Sequence, residues 1–169
     1  MLRLLAVFCV ASLCACGPRQ FVKVHFASFA DTNQGRAVPV YVIPLDDAMK
    51  RKLETMSAED IILSEDLENM VNLYKLPLSG VDQGELVLER KNNRNDFLVV
   101  VDYADIISSV NQKKNMDKQF YRSKELYVLL QKDRLQVVSK ASFHDHVKNA
   151  KQFHKDVNST IDAFKDLKN

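Results

Sequence analysis

The chain has 169 residues, a formal net charge of +2, 46% hydrophobic residues and 27% charged residues. That is one domain's worth of a folding chain, which excludes multi-domain enzymes, long repeat arrays and intrinsic disorder. With 24 basic against 22 acidic residues there is no bulk attraction for nucleic acid or anionic lipid, and 4 glycines are little material for phosphate-cradling loops.

All three cysteines, Cys9, Cys14 and Cys16, fall within the first 16 residues. Arg3 supplies one positive charge, residues 4–13 are an uncharged apolar run, and a polar switch follows at Gly17-Pro18-Arg19-Gln20. The run is shorter than the about 20 residues a spanning helix needs. Its layout is that of a secretory signal. Leu13-Cys14-Ala15-Cys16 resembles the cleavage box of bacterial lipoproteins. The resemblance implies cleavage after Ala15 and a lipid thioether on Cys16. Gly17 is not the Asp that marks inner-membrane retention, so an outer-membrane anchor facing the periplasm is expected. The remaining body then holds no free thiol for redox chemistry or metal binding. Phe21 follows Cys16 closely, and a tether of ~15 Å keeps the body near the membrane. The expected organisation is a signal at 1–15, a lipidated tether at 16–20, a β-domain at 21–140 and a helix at 141–169.

Residues 21–29 alternate, with Val22, Val24 and Phe26 on one face and Lys23 and His25 on the other, which predicts a half-buried strand. Residues 30–37 carry Asp31, Asn33 and Gly35 and predict a turn. Residues 38–45 predict a second strand. Pro39 and Pro44 lack donors and put it at a sheet edge or a bulge. Asp46 caps a helix whose Met49, Leu53 and Met56 share a face. Ser57 and Asp60 are spaced to cap a second short helix running to Leu67, Met70 and Val71.

Residues 74–78 predict a strand ended by Ser79-Gly80. Residues 85–90 and 97–103 predict a hairpin around 91–95. Residues 97–101 are apolar on both faces and predict a central strand. The polar stretch 108–118 reads as a loop. Residues 126–130 and 135–138 predict a second hairpin around 131–134. From Asp145, Val147, Ala150, Phe153, Val157, Ile161, Phe164 and Leu167 step by three or four, an amphipathic helix of about 24 residues. Six or seven strands with a short helical insertion predict a two-sheet β-sandwich with that helix appended.

His144-Asp145-His146 offers two imidazoles but no companion ligand cluster. Surface histidines, with Asp145 as a helix N-cap, are the simpler reading. The pairs Asp46-Asp47, Glu59-Asp60 and Glu65-Asp66 sit at helix starts, where the macrodipole favours carboxylates. No nucleophile, zinc or phosphate motif occurs. No enzymatic activity, cofactor or metal is expected. The C-terminal stripe either covers an open face of the sandwich or presents a ridge to a partner.

Asp31-Thr32-Asn33-Gln34-Gly35-Arg36-Ala37-Val38-Pro39-Val40 resembles the outer-membrane lipoprotein of type VI secretion systems, the TssJ family. The order that follows is similar too: a strand ending at Leu45, a helical insertion over 46–71, Leu76-Pro77-Leu78-Ser79-Gly80, the Val-rich Val99-Val-Val-Asp-Tyr103, and a closing hairpin. The resemblance covers about residues 21–139. It implies a transthyretin-like sandwich and a non-enzymatic role: anchoring a trans-envelope complex by binding the periplasmic domain of the inner-membrane subunit, TssM. It places partner contacts on Asp31, Asn33, Gln34 and Arg36, with Gly35 shaping the loop. An ordinary hairpin turn is the equal alternative for that loop. A pilotin-like assembly lipoprotein using its C-terminal helix is the alternative for the whole chain.

Overall fold

The computed structural model describes residues 20–70, 72–90, 96–104, 109–116 and 124–166. The signal, the tether up to Arg19, Val71, and Leu167 lie outside them. Eight strands and five α-helices occur among the described residues: β1 (Gln20–Ser28), β2 (Val38–Leu45), α1 (Asp47–Thr55), α2 (Ala58–Ile62), α3 (Glu65–Glu68), β3 (Tyr74–Leu78), β4 (Asp82–Arg90), β5 (Asp96–Val101), α4 (Ser109–Gln112), β6 (Lys113–Met116), β7 (Glu125–Leu130), β8 (Leu135–Val138) and α5 (Lys140–Asp166). They build two four-stranded sheets, β4-β1-β7-β8 and β3-β2-β5-β6. The β1–β7 pair is parallel and the other neighbours are antiparallel.

The sheets pack face to face. Val22, Val24, Phe26, Leu126, Val128 and Leu130 of one meet Val40, Val42, Phe97, Val99 and Val101 of the other. The reverse side of the second sheet is covered as well. Ile43, Leu45, Leu98 and Val100 bury there against Leu53, Ala58, Ile61 and Leu67 of the helical insertion. This is why residues 97–101 are apolar on both faces: alternate side chains serve two different cores. β7 follows the same logic, with Tyr127 and Leu129 turned outward under Phe143 of α5.

The insertion starts as its caps dictate. Asp46 Oδ1 accepts the amides of Ala48 and Met49 at 3.0 and 2.7 Å. Ser57 and Asp60 complete a reciprocal capping box. Ser64 then breaks the run, its Oγ capping α3 through the Leu67 amide. Lys113 Nζ ties the insertion to β6 by donating to the carbonyls of Leu53, Glu54 and Met56 at the end of α1.

Four expectations need correction. β2 is an interior strand, between β3 and β5. Its prolines fit because neither interrupts a ladder that is needed. The Asp102 amide donates to the Pro39 carbonyl at 2.9 Å, so residue 39 faces β5, and its missing donor falls at the end of that ladder, one position before the first paired residues, Val40 and Val101. By alternation Pro44 faces β3, where pairing has already stopped at Val42 and Tyr74. Next, β4 and β5 do not form a hairpin: β4 lies at the edge of one sheet and β5 inside the other. β4 alternates and can leave Val87 exposed, whereas β5 needs cover on both faces. The polar stretch 108–118 contains α4 and a paired edge strand, β6. Finally, α5 begins at Lys140, so Asp145 lies inside the helix, and Ser139 Oγ accepts the Ser142 amide at its start.

Candidate functional site

β1 runs from Gln20 to Ser28, about 27 Å along the strand axis. The loop 30–37 therefore sits at the end of the sandwich opposite residue 20. β7 is parallel to β1, so its exit turn, residues 131–134, reaches the same end. β4 enters there, and Ser28 Oγ donates to the Gly80 carbonyl at 2.9 Å. β5 leaves there toward Ala104.

The loop is held from inside. Thr32 is buried; its hydroxyl accepts the Phe29 amide at 2.8 Å and donates to the Leu130 carbonyl at 2.5 Å. Asn33, Gln34 and Gly35 then take consecutive left-handed conformations at φ 50°, 57° and 76°. Asn and Gly accept that region at low cost, and Gln34 is carried between them. Asn33 is also buried. Its Nδ2 donates to the Ala37 carbonyl at 2.7 Å, and its Oδ1 accepts the Ala104 amide at 2.5 Å. Both ends of the amide are thereby used in shaping the loop. Asp31, Gln34, Gly35 and Arg36 remain exposed at the tip.

Beside this tip a concavity of about 480 Å³ is lined by Phe29, Asp31, Lys132, Asp133, Arg134, Asp145, His146 and others. Its rim mixes both signs of charge around an aromatic floor, which suits a protein surface better than a small anion. The β7–β8 turn was absent from the sequence-based site, because nothing in Gln131-Lys-Asp-Arg134 distinguishes a docking turn from any other polar turn. Behind the tip, burial raises the Asp102 carboxyl above its ordinary value, and the same burial, with the Asp102 charge, raises the Tyr41 phenol.

α5 starts near the tether end and runs toward the tip. Lys140 donates to Glu125 at the start of β7, while Asp145 and Asn149 reach the turn at 131–134. Between them, His25 stacks on Tyr127 at 4.8 Å, and Phe143 tilts against Tyr127 at 5.3 Å. His144 and His146 are exposed, their Nδ1 atoms engaged with the carbonyls of Lys140 and Ser142 at 2.7 and 2.8 Å. No cluster able to hold a metal ion occurs among the described residues. The expected stripe divides in two. Phe143 and Val147 pack on the sheet, but Phe153, Val157 and Ile161 are 68%, 38% and 47% exposed. The stripe covers the sandwich only over its first two turns and then runs on uncovered.

No family model matches the sequence, and no curated protein matches it. Solved structures do match. Serratia marcescens Lip, a membrane-bound component of the type VI secretion system, aligns with a TM-score of 0.58 at 15% identity, over 73% of this chain and 99% of that one. The type VI lipoprotein TssJ1 of Pseudomonas aeruginosa aligns with a TM-score of 0.53 at 15% identity, over 73% and 98%. A chain in the structure of the TssM C-terminal domain from EAEC aligns with a TM-score of 0.60 at 7% identity, over 72% and 99%. The fold is that of the TssJ-type lipoproteins. No helix among the described residues is long and apolar enough to cross a membrane.

Proposed function

We propose that this chain is a divergent TssJ-type lipoprotein. Lipid on Cys16 holds it at the outer membrane, facing the periplasm, and its far end binds the periplasmic domain of a TssM-like inner-membrane subunit. The role is mechanical and not enzymatic. The observation that carries the reading is placement. A pinned, left-handed loop stands at the end of the sandwich opposite Gln20.

Physics favours that arrangement for an anchor. Several acyl chains contribute about 0.8 kcal/mol per buried CH₂, enough for stable retention. A short tether then presents the opposite end to the periplasmic space. Burying Thr32 and Asn33 gives the loop one shape before binding, so little ordering entropy is lost on docking. Kinship with Lip and TssJ1 in fold, and the presence of TssM in a matching structure, support this partner class.

The test is titration of the Cys16→Ser protein with the periplasmic domain of the TssM-like subunit encoded beside it. Saturable binding that weakens when Asp31 and Arg36 are both replaced by Ala is expected. A folded preparation that shows no binding refutes the reading.

A further inference from the structure

We propose that this chain docks head to tail with a second copy of itself. The helical insertion of one copy seats Leu63, with the carboxylates around it, in a lysine-walled groove between α5 and β4 of the next. The shared orientation of the copies rests on the membrane anchor proposed above; the fit of the two surfaces does not.

The groove holds about 500 Å³. Phe143 and Val147 form its floor, Gln83 of β4 one wall, and Lys148, Lys151 and Lys155 the other. On the helical wheel the three lysines follow Phe143 and Val147 round the side toward β4, away from Phe153 and Val157. They are spaced by three and four residues, where like charges repel. No carboxylate lines the groove, and none of the three lysines is in a salt bridge among the described residues. An apolar floor under an unmatched cationic wall fits an apolar side chain carried among carboxylates.

The molecule carries that complement on its opposite side. Residues 57–70 hold Glu59, Asp60, Glu65, Asp66 and Glu68 and no basic residue, and all five are exposed. Asp66 is matched by Lys52, and Asp60 is used in the Ser57 cap. Glu59, Glu65 and Glu68 have no salt-bridge partner among the described residues. Leu63 stands among them, between α2 and α3, and is 76% exposed. Glu59 precedes it by four residues, on the same side of α2.

Placement suits copies standing side by side. α5 packs on the outer face of the β4-β1-β7-β8 sheet and the insertion on the outer face of the other, so the two surfaces point in opposite directions. Both lie away from the Gln20 end. Gln83 pairs with Ala27, near the far end of β1. α1 starts after Leu45, opposite Asp96 at the Gln20 end, and Lys113, opposite Val100, holds its other end. α2 follows there, packed on α4. Copies anchored in one membrane thus present insertion to groove at similar depth. The contact is heterologous, so it repeats into a row or closes into a ring. One leucine and its ion pairs make a weak contact, which shared anchoring strengthens by raising the effective concentration.

The experiment is sedimentation velocity of the Cys16→Ser chain up to about 1 mM, where even a millimolar contact is visible. Concentration-dependent association that falls with added salt is expected. Lys148→Glu/Lys151→Glu reverses the groove, and Glu59→Lys/Glu65→Lys reverses the insertion. Each variant alone should associate at least about tenfold more weakly, and so should Leu63→Ser. An equimolar mixture of the two charge variants should regain association, because each then meets its complement in the other; far-ultraviolet circular dichroism checks that both are folded. A monomeric parent at low salt, association unchanged in the variants, or a mixture that stays monomeric overturns the proposal. So does a monomeric parent whose binding of the TssM-like periplasmic domain is lost in the groove variant, which assigns the groove to that partner. If the parent self-associates and binds no such domain, the anchor function falls and this contact stands. If it binds that domain and stays monomeric, the contact falls and the function stands.

Discussion

The Asn33 side-chain oxygen accepts the Ala104 amide at 2.5 Å, joining the loop after β1 to the segment after β5. The two residues belong to connections from different sheets. One buried amide therefore couples the tip of the sandwich across its core.

Asn33→Ala removes that acceptor and also the donor to Ala37. It leaves the Ala104 amide unpaired at a part-buried site and places Ala in a left-handed conformation. The expected cost is about 2–3 kcal/mol, seen as a lower midpoint in urea unfolding. Partner binding should fall with it. Asn33→Gly restores the backbone freedom but not the hydrogen bonds, and should recover part of the loss.

At Gly84 the constraint is space. A Cβ there would lie 2.6 Å from Leu76 Cδ2, which reaches across from the other sheet. Gly84→Val should cost about 1–3 kcal/mol by overpacking. Adding Leu76→Ala should recover stability, and a double-mutant cycle with no coupling between the two sites would count against this contact.

Lys113 acts at a helix end. Its ammonium donates to three carbonyls around the C-terminus of α1, where a cation offsets the macrodipole. Desolvation lowers its pKa, so the contact has a cost as well as a gain. Lys113→Met should lower stability by about 1 kcal/mol and raise amide exchange in α1 selectively. Uniform exchange across the whole domain would mean that the residue does not hold the insertion.

Acid should loosen the base of α5. Glu125 accepts from Tyr127 Oη at 2.5 Å and from Lys140 Nζ at 3.1 Å. The Tyr127 hydrogen bond, then the Lys140 one, hold its carboxyl below the usual 4.5. A carboxyl depressed in the folded state stabilises above its unfolded value, and that contribution is lost as pH falls through the folded one. Urea midpoints between about pH 6 and pH 3 should therefore fall less steeply in Glu125→Gln than in the parent. An unchanged slope sinks the assignment.

The lipid account has its own test. Cys16→Ser should leave the fold intact and release the protein into the soluble periplasmic fraction. Persistent membrane association of that variant would show that something other than Cys16 anchors it.

Much of this protein is local, and the sequence alone determined it. Alternation in residues 21–29 is enough for β1, since a strand with one buried face must alternate. The caps at Asp46 and Ser57 act within three residues, so their spacing is a sufficient signal. The left-handed turn at Asn33 and Gly35 was legible for the same reason. What the tertiary structure alone decided is which surfaces meet. The prolines of β2 read as marks of an edge or a bulge until the register put their missing donors at or past the ends of its two ladders. β4 and β5 read as a hairpin because adjacency in sequence cannot say which sheet a strand joins. That the Asn33 amide turns inward was beyond the sequence, because only the arrival of Ala104 gives its oxygen a partner. The stripe of α5 read as one face that either covers the sandwich or stands bare as a ridge. Its first half is covered and its second half is bare because the sheet beneath it ends, a length set by the whole sandwich and absent from the helix's own sequence.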